Sequence, residues 1–116
     1  MCHCGAVGWA LASRPARLTS CNCLACRRYA ALWAYGTRES VTITAEADAT
    51  IAYVHGDRTL AFHSCRVCGC TTHWAGLAPH DGEWRIAVNM RMADPAAFAD
   101  IPVARFDGAV TWSYLD

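Results

Sequence analysis

Lysine is absent from the 116 residues, so all ten cations are arginine. That absence excludes a Schiff-base lysine, a pyridoxal-phosphate lysine and the lysine of a phosphate-binding P-loop. No charge of either sign is in excess, since ten Arg balance ten Asp plus Glu. Without a basic block or an acidic tail, the sequence argues against nucleic acid and anionic membrane surfaces as main partners. Long hydrophobic runs are also missing: the longest, Tyr29 to Tyr35, falls far short of the ~20 residues that span a bilayer. Met1 is followed at once by Cys2-His3-Cys4-Gly5, with no basic segment, apolar run or small-residue cleavage site of a secretory signal. A cytoplasmic protein is therefore expected, and in a reducing compartment clustered thiols bind metal more often than they form disulfides. With 54% hydrophobic and 17% charged residues, eight Gly and four Pro, the composition suits a packed chain. At about 150 residues per domain, one domain over residues 1–116 is expected.

What the chain does have is short alternating segments separated by turns, the pattern of strands. Val7, Trp9 and Leu11 alternate, as do Val41 and Ile43; Ile51, Tyr53 and His55; Leu60 and Phe62; Trp84, Ile86 and Val88; Val103 and Arg105; and Val110, Trp112 and Tyr114. Turn residues sit between them at Ser13-Arg14-Pro15, Gly36, His55-Gly56-Asp57, Pro79-His80-Asp81-Gly82 and Asp107-Gly108. Helix is expected only at Cys26 to Leu32 and at Asp94 to Phe98, where Asp caps and Pro opens the first turn. The expectation is a mainly β, mainly antiparallel fold.

Eight cysteines remain to be explained, in the groups Cys2-x-Cys4, Cys21-x-Cys23-x2-Cys26 and Cys65-x2-Cys68-Gly69-Cys70. A Cys-x2-Cys pair followed by Gly is a zinc knuckle, whose turn aims two thiolates at one point. A structural zinc site needs four ligands, and Cys2 and Cys4 on an extended segment would point the same way and complete it. His3 between them would face outward. Such a site would staple the N-terminus to the middle of the chain and contribute folding free energy.

Cys21, Cys23 and Cys26 supply three thiolates within six residues, one short of a closed tetrahedron. Spacing leaves two readings open. Cys70, His63 or His73 fills the fourth position and makes a second staple, or the position stays open, as in catalytic zinc sites.

The Cys2-His3-Cys4-Gly5-Ala6-Val7 start, the Cys21-Asn22-Cys23-Leu24-Ala25-Cys26-Arg27-Arg28 run, the Cys65-Arg66-Val67-Cys68-Gly69 knuckle, Val88-Asn89-Met90-Arg91 and Phe106-Asp107-Gly108 occur here in one order. Together they resemble the glutathione-dependent formaldehyde-activating enzyme family, which includes centromere protein V. The resemblance implies an Mss4-like β-tent of short antiparallel strands with one or two short helical turns and zinc knuckles. It also implies a structural Zn2+ on Cys2, Cys4, Cys65 and Cys68 and a catalytic Zn2+ on Cys21, Cys23 and Cys26. Two departures stand out: family members carry several residues before the first Cys-x-Cys, and they do not generally place a ligand at Cys70.

The activity so implied is a carbon–sulfur lyase reaction in the direction of synthesis, adding the glutathione thiol to formaldehyde to give S-hydroxymethylglutathione. A zinc held by three thiolates is a soft, weak Lewis acid that takes a thiolate readily, and other small aldehydes and thiols fit the same chemistry. Arg27 and Arg28 are candidates to hold a glutathione carboxylate, against the plainer reading that they offset thiolate charge or lie in solvent. His63 and His73 are candidate proton carriers or structural residues; His55 and His80 are expected in solvent. Trp33, Tyr35 and Trp74 either wall a pocket beside the zinc or belong to the core. Asn22 is expected to shape its turn. The alternative from another class is a non-catalytic two-zinc binding module on the same fold. Methionine sulfoxide reduction would need a metal-free reactive cysteine, for which only Cys70 is spare.

Overall fold

A computed structural model describes residues 1–116. Ten strands and two short helices follow in the order β1 (Val7–Leu11), β2 (Leu18–Cys21), α1 (Leu24–Tyr29), β3 (Trp33–Thr37), β4 (Val41–Ala45), β5 (Thr50–Tyr53), β6 (Leu60–Cys65), β7 (Thr71–Gly76), β8 (Arg85–Asn89), α2 (Pro95–Phe98), β9 (Val103–Asp107) and β10 (Ser113–Tyr114). Eight strands form one sheet in the order β10-β9-β2-β3-β8-β7-β6-β5, and β1 and β4 form a separate ribbon. The fold is mainly β, as the alternation predicts. One pairing departs from the antiparallel expectation: β2 and β9 run parallel, with Leu18 opposite Val103 and Cys21 opposite Phe106.

The sheet buries both faces near its centre. On one face, Leu18, Ala34 and Val88 pack beneath Trp9, Leu11 and Ile43 of the ribbon. On the other, Trp33, Phe62, Trp74 and Ala87 pack with Cys26 and, at the margin, Tyr29 of α1. β3 therefore reads as a run of apolar residues, with Trp33 and Ala34 both fully buried, because a central strand covered on both faces need not alternate. For the same reason the helix expected over Cys26 to Leu32 is shifted and shorter, running over Leu24–Tyr29. The helix stops at Tyr29, Ala30 closes it in the left-handed conformation (φ 54°), and Ala31 and Leu32 lead into β3.

The C-terminal alternation also misleads. Only Ser113 and Tyr114 form a strand; Val110 and Trp112 sit in a turn tied to Asp107, whose carboxylate accepts from Thr111 N–H (3.1 Å) and Thr111 Oγ1 (2.9 Å). The second helix forms as expected, with Asp94 capping the Ala96 N–H and Pro95 in the first turn.

Candidate metal centres

The sulfurs of Cys2, Cys4, Cys65 and Cys68 lie within 4.8 Å of one another. Cys2 and Cys4 are 3.8 Å apart and Cys4 and Cys65 are 3.6 Å apart. The edge of a tetrahedron of sulfurs about a zinc ion, with zinc–sulfur bonds of about 2.3 Å, is about 3.8 Å, so the donor set fits that ion. Cys2 and Cys4 converge by a different route from the expected extended segment. They sit in a turn closed by Gly5 N–H to Cys2 O (3.0 Å) and Cys2 N–H to Val7 O (2.8 Å), with Gly5 at φ +85°. His3 is exposed, as expected.

On the knuckle side, Gly69 adopts φ +77° and its N–H reaches Cys65 O. The backbone N–H groups of Cys4 and Cys70 draw the Cys68 thiol down to about 6 against the cost of burial. Cys2 and Cys65 are buried, and with Val7 they form a small core of their own. The cluster thus joins the β1 entry to the β6–β7 connection.

Cys21 ends β2, Cys23 caps α1 and Cys26 lies in its first turn; their sulfurs also fall within 4.8 Å of one another. Backbone groups aim at them: Cys23 N–H donates to Cys21 Sγ (3.5 Å) and Cys26 N–H to Cys23 Sγ (3.3 Å). The Trp33 indole N–H, fully buried, donates to Cys26 Sγ at 3.3 Å. Hydrogen bonding with Cys26, helped by the N–H groups of Cys23 and Gly108, brings the Cys21 thiol down to about 6 in spite of burial. Cys26 moves upward, because it keeps the shared proton and is itself buried. A divalent cation would displace the remaining protons, and three soft donors suit zinc.

No His, Cys, Asp or Glu of the chain joins this trio. Cys70 packs instead beside Cys2 and Cys65, outside their group of four. His63 and His73 stack face to face across β6 and β7, with centroids 4.5 Å apart and each Nδ1 2.8 Å from a threonine hydroxyl. Burial lowers both imidazoles, His73 to about 4, with His63 adding to it. All eight cysteines are free thiols.

The residues around the trio make contacts far along the chain. Asn22 shapes its turn by holding the β9–β10 connection: its Nδ2 donates to Asp107 Oδ1 (3.0 Å) and its Oδ1 accepts from Ala109 N–H (3.0 Å). A methyl group on Gly108 would fall 2.7 Å from Cys21 Sγ, 3.0 Å from Cys23 Cβ and 3.5 Å from the Trp112 ring. Trp112 is 73% exposed and holds φ +57°, a strained conformation for a bulky residue, against Phe106. Asp107-Gly108 reads in sequence only as a turn, so the close approach it permits had no separate signal. Trp33 and Trp74 belong to the core, and the exposed Tyr35 pairs with Trp74 at 6.0 Å. Arg27 and Arg28 lie exposed at the far end of α1, and Arg28 Nη1 donates to Leu24 O. His80 is exposed; His55, also exposed, stacks between Tyr53 and Phe62.

The fold and its two thiol clusters define a mainly β protein with two candidate metal centres. A family model for the glutathione-dependent formaldehyde-activating enzyme matches residues 1–101, and the chain belongs to that family. It is similar to a Rhodobacter sphaeroides protein of known crystal structure, 28% identical, with a TM-score of 0.70 over 89% of this chain and 96% of that one. No curated protein matches.

Proposed function

We propose that this chain, as one domain over residues 1–116 in the cytoplasm, catalyses the reversible addition of a thiol to a small aldehyde, with glutathione and formaldehyde as the family's pair. The observation that carries the reading is the three-thiol cluster to which the chain brings no fourth donor. Cys2, Cys4, Cys65 and Cys68 would hold a structural Zn2+, and Cys21, Cys23 and Cys26 a catalytic one. A zinc ion bound there would supply an open coordination position and lower the pKa of an incoming thiol.

The chain's residues do the rest. Trp33 fixes Cys26 by its indole N–H, and outer hydrogen bonds of this kind orient metal ligands. Asn22 and Asp107 lock the β9–β10 turn against the cysteine loop, and Gly108 leaves the sulfurs uncovered by any side chain of its own. In the forward direction a carbon–sulfur bond forms, the carbonyl π bond breaks, and the thiol proton ends on the former carbonyl oxygen.

The test is exchange spectroscopy of carbon-13 formaldehyde with glutathione. The zinc-loaded protein should accelerate adduct exchange, and Cys23→Ser should abolish the acceleration while the protein stays folded with one zinc. A folded, two-zinc protein with no effect on exchange would leave the non-catalytic binding module.

A further inference from the structure

The face of the sheet that presents Cys21 also presents two guanidinium groups without carboxylate partners. Strand register fixes this face. Thr19 pairs with Trp33, Tyr35 with Ala87, and Ala87 with Trp74, while Cys21 pairs with Phe106 and Phe106 with Tyr114. Directly paired residues share a face, and so do residues two apart along one strand. The Arg17 guanidinium lies 4.2 Å from the centre of the Tyr114 ring. The Arg85 guanidinium lies 5.5 Å from the Tyr35 ring and 6.0 Å from the Trp74 ring. The chain's arginine ion pairs are Arg14 with Asp100 and Arg105 with Asp116, and neither Arg17 nor Arg85 takes part. A guanidinium laid flat on an aromatic ring keeps its edge donors free for bidentate recognition of a carboxylate.

Distance and charge suit the same ligand. Arg17 and Cys21 are four residues apart, about 13 Å along an extended chain. The Arg17 guanidinium sits over Tyr114, whose neighbour Phe106 pairs with Cys21, so arginine and thiol lie on the same part of the face. Three thiolates around one divalent ion carry a net negative charge, so a substrate's carboxylates are repelled from the sulfurs and need cations placed further off.

We infer that Arg17 and Arg85 form a carboxylate clamp for a thiol peptide with acidic ends, whose sulfur is directed to the Cys21, Cys23 and Cys26 cluster. This inference rests on the proposed function for the fate of the sulfur, and on the two arginines alone for the binding of the carboxylates.

Arg17→Met and Arg85→Met keep the apolar stem and remove the charge. On the zinc-loaded protein, each should raise the KM for glutathione about tenfold, leave kcat unchanged, and leave the KM for 2-mercaptoethanol, which has no carboxylate, unchanged. Calorimetric binding of S-methylglutathione, which carries both carboxylates but no free thiol, should weaken by the same factor, and Arg→Lys should restore part of it. The clamp is overturned if both Met variants bind S-methylglutathione as the wild type does, or if Arg27→Ala and Arg28→Ala produce the loss instead. If the wild type accelerates no adduct formation with either thiol, the catalytic reading fails, and the S-methylglutathione measurement still decides the clamp.

Discussion

Gly108→Ala places one methyl group against the three-thiol cluster and little else. The backbone of Gly108 is not left-handed, so alanine meets no conformational penalty and the effect is steric. The new carbon would fall 2.7 Å from Cys21 Sγ and 3.0 Å from Cys23 Cβ, where ordinary contacts are about 3.5–4.0 Å. Relief requires the sulfur or the turn to move by about 1 Å. The turn resists, because Asn22, Thr111 and the Trp112 N–H all anchor it at Asp107 and Ala109. Overpacking of this kind costs about 1–3 kcal/mol. Zinc–sulfur bonds tolerate only about 0.2 Å, so a displaced Cys21 would be lost as a ligand. Zinc measured with a chromophoric chelator should fall from about two to about one per chain, with the melting transition lowered but cooperative. A Gly108→Ala protein that keeps both ions and the wild-type melting temperature would refute the reasoning.

Cys70→Ser should keep both zinc ions and full activity, because Cys70 lies beside the four-thiol group without belonging to it; loss of either ion in metal analysis would contradict this. Cys68→Ser should abolish cooperative thermal unfolding monitored by circular dichroism, since the metal would no longer tie the first turn to the β6–β7 connection. Trp33→Phe should weaken zinc at the three-thiol site about 10–100-fold in chelator competition, the usual cost of deleting an outer hydrogen bond to a ligand. His73 should titrate near 4 in proton NMR, displaced from 6.5 by burial and by His63. Since its folded pKa lies below the unfolded one, its contribution to stability is complete above about pH 6.5 and declines as pH falls toward 4; a midpoint near 6.5 would refute the burial argument.

Much of this architecture is legible before any coordinates. Alternation places β1, β4, β5, β6, β8 and β9, although β6 and β8 also bury neighbouring residues. It fails at β2, β3 and β7, where Leu18 with Thr19, Trp33 with Ala34, and Thr72 with His73 and Trp74 are buried in succession and no polar–apolar alternation marks the strand. The three cysteine groups announce two clusters, since ligand spacing is local. Which thiol stays outside them is not local: Cys70 is distinguished from Cys68 only by the direction in which the Gly69 turn points it. The contact of Gly108 with Cys21 and the partners of Asn22 are not legible for the same reason, because they lie more than eighty residues away.

The parallel pairing of β2 with β9 makes the surroundings of Cys21 depend on chain made long after it. The thiols of the four-membered cluster are all present once residue 68 has been made. The three-thiol cluster draws on later chain: β2 has an open edge until β9 is made, and Gly108, whose backbone lies against Cys21 and Cys23, follows β9. Cys21, Cys23 and Cys26 are thus made before the four-thiol group is complete, yet reach their final surroundings after it.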